Sequence, residues 1–263
     1  METPNVGAPE LRLVDEILEI VRSTDVGGGG ERGDMAGAAM FGTYLQAYRR
    51  MRSIRDLAAV GAGPEASILA RSLLGMITRA IWVDQPADPA EREARFARWL
   101  KREIEDEIHE AEGRGELGDD VSEELRTLQP RLDELVDVRP IPNDRQLIKE
   151  ELGLAPHYWR VYVGASGHVH YSLRSAIDEI REAAAKGVDL TFDRPNPELA
   201  TEALVLSLLN YGLFMEASDK TVKHGLGPRI LEMVQTSGIF GDPLETYRAA
   251  QSRRRRLNLQ EPD

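Results

Sequence analysis

Positions 157 to 171 read His157-Tyr158-Trp159-Arg160-Val161-Tyr162-Val163-Gly164-Ala165-Ser166-Gly167-His168-Val169-His170-Tyr171, which gathers three of the five histidines with four aromatic rings and a serine. Histidine titrates near neutrality and serine or tyrosine can orient a proton, so acid–base chemistry would be sought here first. On a helix, Tyr162, Ser166, His170 and Arg174 follow at four-residue steps and form one polar stripe. His168 and His170 are two apart, turned about 200° from each other on a helix, and cannot jointly grip a metal. Ser166 lacks the surroundings of a nucleophile elbow, and no oriented aspartate–histidine partner can be assigned to it. The stripe therefore reads either as a hydrogen-bond network joining helices or as an acid–base site.

A second candidate is a cation. Arg71 sits among Leu69, Ala70, Leu73 and Leu74, where a charge needs a partner or a ligand. It either snorkels at the bundle edge, pairs structurally with a carboxylate, or faces the His170 stripe as an anion-binding group. Other motifs carry less. Gly28, Gly30 and Gly33 match G-x-G-x-x-G, but an amphipathic helix precedes them and no parallel-sheet pattern exists, so they read as a linker. Asp106-Glu107-Ile108-His109 has the outline of one di-iron element, yet no second copy follows, and a solvated acidic face is the reading. The sequence calls for no cofactor and no metal.

The segment Ala70-Arg71-Ser72-Leu73-Leu74, followed far along the chain by Tyr162, Ser166 and His170, resembles a bacterial all-helical family of unknown function. That family pairs an Ala-Arg-x-Leu-Leu-Glu helix with a later Tyr-x-x-x-Ser-x-x-x-His helix. The resemblance spans about residues 34–214 and implies an all-α fold with Arg71, Tyr162, Ser166 and His170 as its site group. This chain has Gly75 where the glutamate stands. A broader similarity is to HEPN-type helical ribonucleases, in which an arginine precedes a histidine by four to six intervening residues on one helix. Here Arg160 and His168 are separated by seven, and Arg174 follows His170 instead of preceding it.

The elements that must hold these groups are all helical. Leu11, Val14, Ile17, Leu18 and Val21 recur at helical spacing, predicting a helix over 9–22 that ends at Gly27-Gly28-Gly29-Gly30. Asp34 is a cap for a second helix with Met40, Tyr44, Ala47, Met51, Ile54 and Leu57 on one side. Pro64 suits the first turn of a third, over 65–83, apolar around most of its circumference and therefore central. Asp88-Pro89 restarts the chain as a charged helix to about 112, with Phe96, Trp99, Leu100, Ile104 and Ile108 as a narrow stripe. Further helices are predicted over 121–136, 144–152, 156–186, 198–221 and 229–235, with a charged one at the C-terminus. The fold class is an all-α multi-helix bundle with a charged helical hairpin packed on it or projecting from it. Its organisation is an N-terminal helix and glycine linker (1–33), a helical core (34–221) with the acidic hairpin inserted at 88–136, and short helices with a basic tail (222–263).

Composition bounds the function. With 41% apolar and 30% charged residues, the chain has the make-up of a folded domain. It has no cysteine, which removes disulfides and thiolate chemistry. No run of apolar residues approaches the roughly 20 of a membrane helix, and no signal-type segment opens the chain, so a cytoplasmic location without membrane attachment is expected. The net charge of −12 opposes broad attraction to nucleic acid, although Arg253, Arg254, Arg255 and Arg256 make the tail basic. Two functions follow. One is a noncatalytic binding or interaction module, of a bacterial defence or stress system, whose Arg71/Tyr162/Ser166/His170 group is structural or takes a small anion. Its partners would be another protein, a small anionic ligand or a second copy. The other is a metal-independent, HEPN-like ribonuclease or phosphotransfer enzyme, with His170 as base, Arg71 stabilising phosphoryl charge, and Ser166 and Tyr162 orienting.

Overall fold

Helix signals account for nearly every boundary in the computed structural model, which describes residues 8–26, 34–113, 129–130, 132–154 and 196–239. The protein is an all-α multi-helix bundle, with no strand among the described residues. Helix α1 spans Ala8–Ser23. Asp34 then starts α2, Met35–Ala59, by accepting the Gly37 N–H at 2.7 Å. Helix α3, Gly63–Asp84, opens with Pro64 in its first turn. Helix α4, Pro89–Gly113, begins where Asp88 accepts the Ala90 N–H at 3.0 Å.

After residue 143 the chain makes a short turn of α-helix, α5, over Asp144–Gln146, capped by Asn143. The following turn, Leu147–Glu151, is π-helical, whereas the spacing predicted uninterrupted α-helix. The wider turn closes with Leu152 N–H on Leu147 C=O at 3.1 Å and leaves both Leu147 and Ile148 fully buried. Helix α6, Pro197–Val222, is capped by Asn196, and α7 spans Gly227–Thr236.

Helices α2, α3 and α6 pack against one another as the centre of the bundle. At Gly63 a Cβ would lie 2.8 Å from both the Asn196 carbonyl oxygen and the Leu199 Cβ, so glycine lets the starts of α3 and α6 touch. Val14, Ile17 and Val21 of α1, and Ile230 and Val234 of α7, bury into the same core as Leu73, Leu208 and Phe214. The ends of the chain's described part are thus not separate layers. By length and composition α3 and α6 are apolar enough to cross a membrane, contrary to the reading from apolar runs alone. Their apolarity is spent inside the protein: 56% and 67% of their most apolar windows are buried in the bundle.

Helix α4 leans on this centre. Arg95 and Arg98 lie over the Trp82 ring, 4.8 and 5.1 Å from its centroid, and Arg95 also donates to the Trp82 carbonyl at 2.9 Å. Further along, Ile104 and Ile108 form a small second cluster with Leu100, Leu132 and Leu135. Lys101 Nζ donates to the carbonyls of Val136 and Val138 and fixes the returning chain beside α4. That chain is helical to Asp133 and then turns, where the sequence predicted helix to Val136. The remainder of the predicted second arm lies outside the described residues.

Candidate anion-binding cleft

Of the four residues expected to form the site, Arg71 can be placed. Tyr162, Ser166 and His170 lie outside the described residues, as do His157, His168 and Arg174. Arg71 is half-buried on α3 and faces a cleft of about 730 Å³ between α2, α3 and α4, not the apolar core that its neighbours in sequence suggest. The 3.6-residue turn explains this: Arg71 and Gly75 share a face, Leu73 lies on the opposite side, and Leu74 sits about 60° around from Arg71 at the margin of the core; both leucines are fully buried.

The cleft is built from one line of residues per helix. Helix α2 supplies Ala39, Gly42, Thr43, Gln46 and Arg50, at steps of three and four. Helix α3 supplies Ile68, Arg71, Ser72, Gly75, Met76 and Arg79 in the same way, and α4 closes the third side with Phe96, Trp99, Leu100 and Glu103. Three guanidinium groups therefore reach one enclosure, and they are not equivalent. Arg79 is held between Glu103 and Asp144, at 3.3 Å from each. Glu103 also accepts the Trp99 indole N–H at 2.7 Å, so that end of the cleft is internally satisfied. Arg71 has an interaction of its own.

Arg50 differs from both. Its Nη1 donates to the Ser72 hydroxyl, and no carboxylate among the described residues pairs with it. Burial pushes its pKa down from the ordinary arginine value, with no acid to offset the loss of hydration. Arg55, one and a half turns further along α2, shows the contrast: a bidentate pair with Asp15, at 2.7 and 2.8 Å, raises its pKa despite partial burial. The electrostatic result is a cation at one end of the cleft that still wants an anion.

A second polar cluster, missed in the sequence, lies at the turn from α6 to α7. Ser218 Oγ is 3.0 Å from His224 Nε2, and His224 Nδ1 is 3.2 Å from Asp219 Oδ1, an outline shared with serine hydrolase triads. The hydrogen bonds contradict that function. Leu226 N–H donates to His224 Nδ1 at 3.0 Å, which fixes the neutral ring with its proton on Nε2. That proton goes to Ser218 Oγ, so the imidazole cannot also take the serine's proton. Ser218 is completely buried and His224 is 4% exposed, and the Tyr44 ring stacks on the imidazole at 5.2 Å. The cluster locks a turn. No single motif reveals it, because Lys223 adopts φ 55° and brings residue 224 back beside α6.

His109, the one histidine of the Asp106-to-His109 motif, is exposed on α4, and no three acidic or histidine side chains among the described residues converge to hold a metal. Comparison with protein-family models, curated proteins and solved structures returns no match, so what the cleft binds has to follow from its own geometry.

Proposed function

We propose that the protein is a helical binding module that takes a small anionic ligand in the cleft between α2, α3 and α4, with Arg50 as the principal contact. One observation carries this reading: a half-buried guanidinium whose partner among the described residues is a serine hydroxyl, on the wall of a cleft large enough for a small molecule. Partial loss of hydration without a counter-charge disfavours the guanidinium, and a carboxylate or phosphate bound by two parallel N–H bonds is the partner that arginine geometry favours. Ser72 fixes the guanidinium in advance, so less rotamer freedom is lost on binding.

The test is thermal unfolding of the full chain with and without inorganic phosphate. Stabilisation that grows with phosphate concentration, and that disappears in Arg50→Met, is the expected result. Arg50→Met keeps the apolar stem and removes the charge, so the free protein should melt at or above the wild-type temperature. Equal responses of the two proteins would remove the cleft from consideration. Incubation of both with mixed RNA completes the experiment. Cleavage that survives Arg50→Met but is lost in His170→Ala would replace the binding reading by the ribonuclease one.

A further inference from the structure

The cleft has two unlike ends and a bare floor, and together these define its ligand further. Ser72, which holds Arg50, and Arg79 are seven residues apart along α3, which sets the two ends about 10 Å apart along the helix axis. At one end stands Arg50 on Ser72; at the other, Arg79 is neutralised by Glu103 and Asp144. Only the first end asks for negative charge. Gly42 of α2 and Gly75 of α3 both line the groove, and a Cβ built on either would meet nothing of the described residues within 4 Å. Both glycines are in helix interiors, where glycine is unfavourable and is kept when something must come close to the backbone. Elsewhere in the bundle that something is visible: a Cβ on Gly63 would run into the start of α6, and one on Gly227 would lie 2.9 Å from the α6 backbone. At Gly42 and Gly75 no atom of the described residues comes that close. Phe96, Trp99 and Met76 wall the same stretch.

We infer that the cleft takes an elongated amphipathic anion, a carboxylate or phosphate monoester whose head lies on Arg50 and whose uncharged aliphatic or aromatic body runs over Gly75 and Gly42 toward Trp99. This rests on the anion-binding reading above and adds the ligand's shape. The glycine floor admits the body against the helix backbones, and the satisfied far end excludes a second charge. The head group's two sources differ in chemistry alone, so both are tested.

The experiment is calorimetric titration of the full chain with inorganic phosphate, hexyl phosphate, acetate and octanoate, each below any micelle concentration, and with octanol as the uncharged control. Hexyl phosphate or octanoate should bind at least tenfold more tightly than its short counterpart, and octanol should bind more weakly than octanoate. The better of the two long ligands identifies the head group. Gly75→Leu should abolish the gain from the tail while leaving the free protein folded and melting no lower than wild type, since leucine favours the helix and enters open space. Arg50→Met should abolish binding of every anion. If phosphate and hexyl phosphate bind alike, the elongated ligand is wrong while the anion reading stands. If octanol equals octanoate, Arg50 does not hold the head. If no anion binds the wild type, both readings fall together. Unchanged affinities in Gly75→Leu would overturn the placement of the body.

Discussion

Two arginines and a histidine show how far single residues can be read. Arg71 stood out because a lone cation interrupts an apolar stretch, yet the cation with the unmet demand is Arg50. Its neighbours, Arg49 and Arg52, hide it, and the pattern alone does not tell which of three nearby arginines faces a groove. Tyr162, Ser166 and His170 were legible as a stripe, but they lie outside the described residues. His224 was illegible for another reason: its partners depend on a left-handed turn that spacing does not encode. Its pKa is lowered, mainly by burial, with Asp219 opposing. The unfolded chain therefore binds a proton that the folded one resists, so His224 contributes stability above about pH 6.5 that is lost as pH falls through its lower folded value. His224→Asn keeps an acceptor near the Leu226 N–H and removes the titration. Urea unfolding at pH 8 should find the variant about 1–3 kcal/mol less stable. At pH 5 that gap should narrow, because the wild type alone loses the histidine contribution. A gap as wide at pH 5 as at pH 8 would contradict the direction of the shift.

Elements were more legible than residues, because caps and prolines act locally. Asp34, Pro64, Asp88 and the apolar stripes set α1 to α4 to within a residue or two of their observed limits. The π-helical turn at Leu147–Glu151 was not foreseeable, since it answers to two adjacent side chains that both need the core. Glycines inside helices were visible but mute: the sequence does not say whether packing, a ligand or neither accounts for them. Space around them separates the cases. Gly75→Ala and Gly42→Ala add a methyl group to open space and should each raise stability by up to about 1 kcal/mol, through helix propensity alone. Gly63→Ala puts the same methyl 2.8 Å from a carbonyl oxygen of residue 196 and should destabilise by more than that gain, since backbone must move. Urea midpoints of the three variants measure this. The prediction fails if all three shift in one direction.

At the scale of the whole molecule, the bundle is joined where its core helices end. Asp84, 5% exposed at the close of α3, accepts the Thr221 hydroxyl hydrogen of α6 at 2.7 Å, with its second oxygen 2.8 Å away. Arg92 of α4 lies 2.6 Å from the same carboxylate, close enough for an ion pair though poorly aligned for a hydrogen bond, and 3.8 Å from Asp34, the cap of α2. Glu93 accepts the Ala36 N–H at 3.1 Å, so α4 also finishes the cap of α2. Four helices thus meet around one charge pair. The sequence ends the third helix at residue 83 and shows a charged helix from Asp88-Pro89 onward; the pairing of Asp84 with Arg92 requires a contact between α3 and α4 that no local pattern encodes. Asp84→Ala leaves Arg92 buried without its closest acid and frees the Thr221 hydroxyl, and should cost about 3–5 kcal/mol. Replacing Glu19, whose pair with Arg22 is exposed on α1, should leave the urea midpoint close to that of the wild type. A double-mutant cycle with Asp84→Ala and Arg92→Met checks the assignment in urea unfolding: removing both partners should restore a large part of the loss, because the uncompensated charge goes with them. Additive losses would mean that Asp84 acts through Thr221 alone and that α4 is held by Trp82 and the arginines above it.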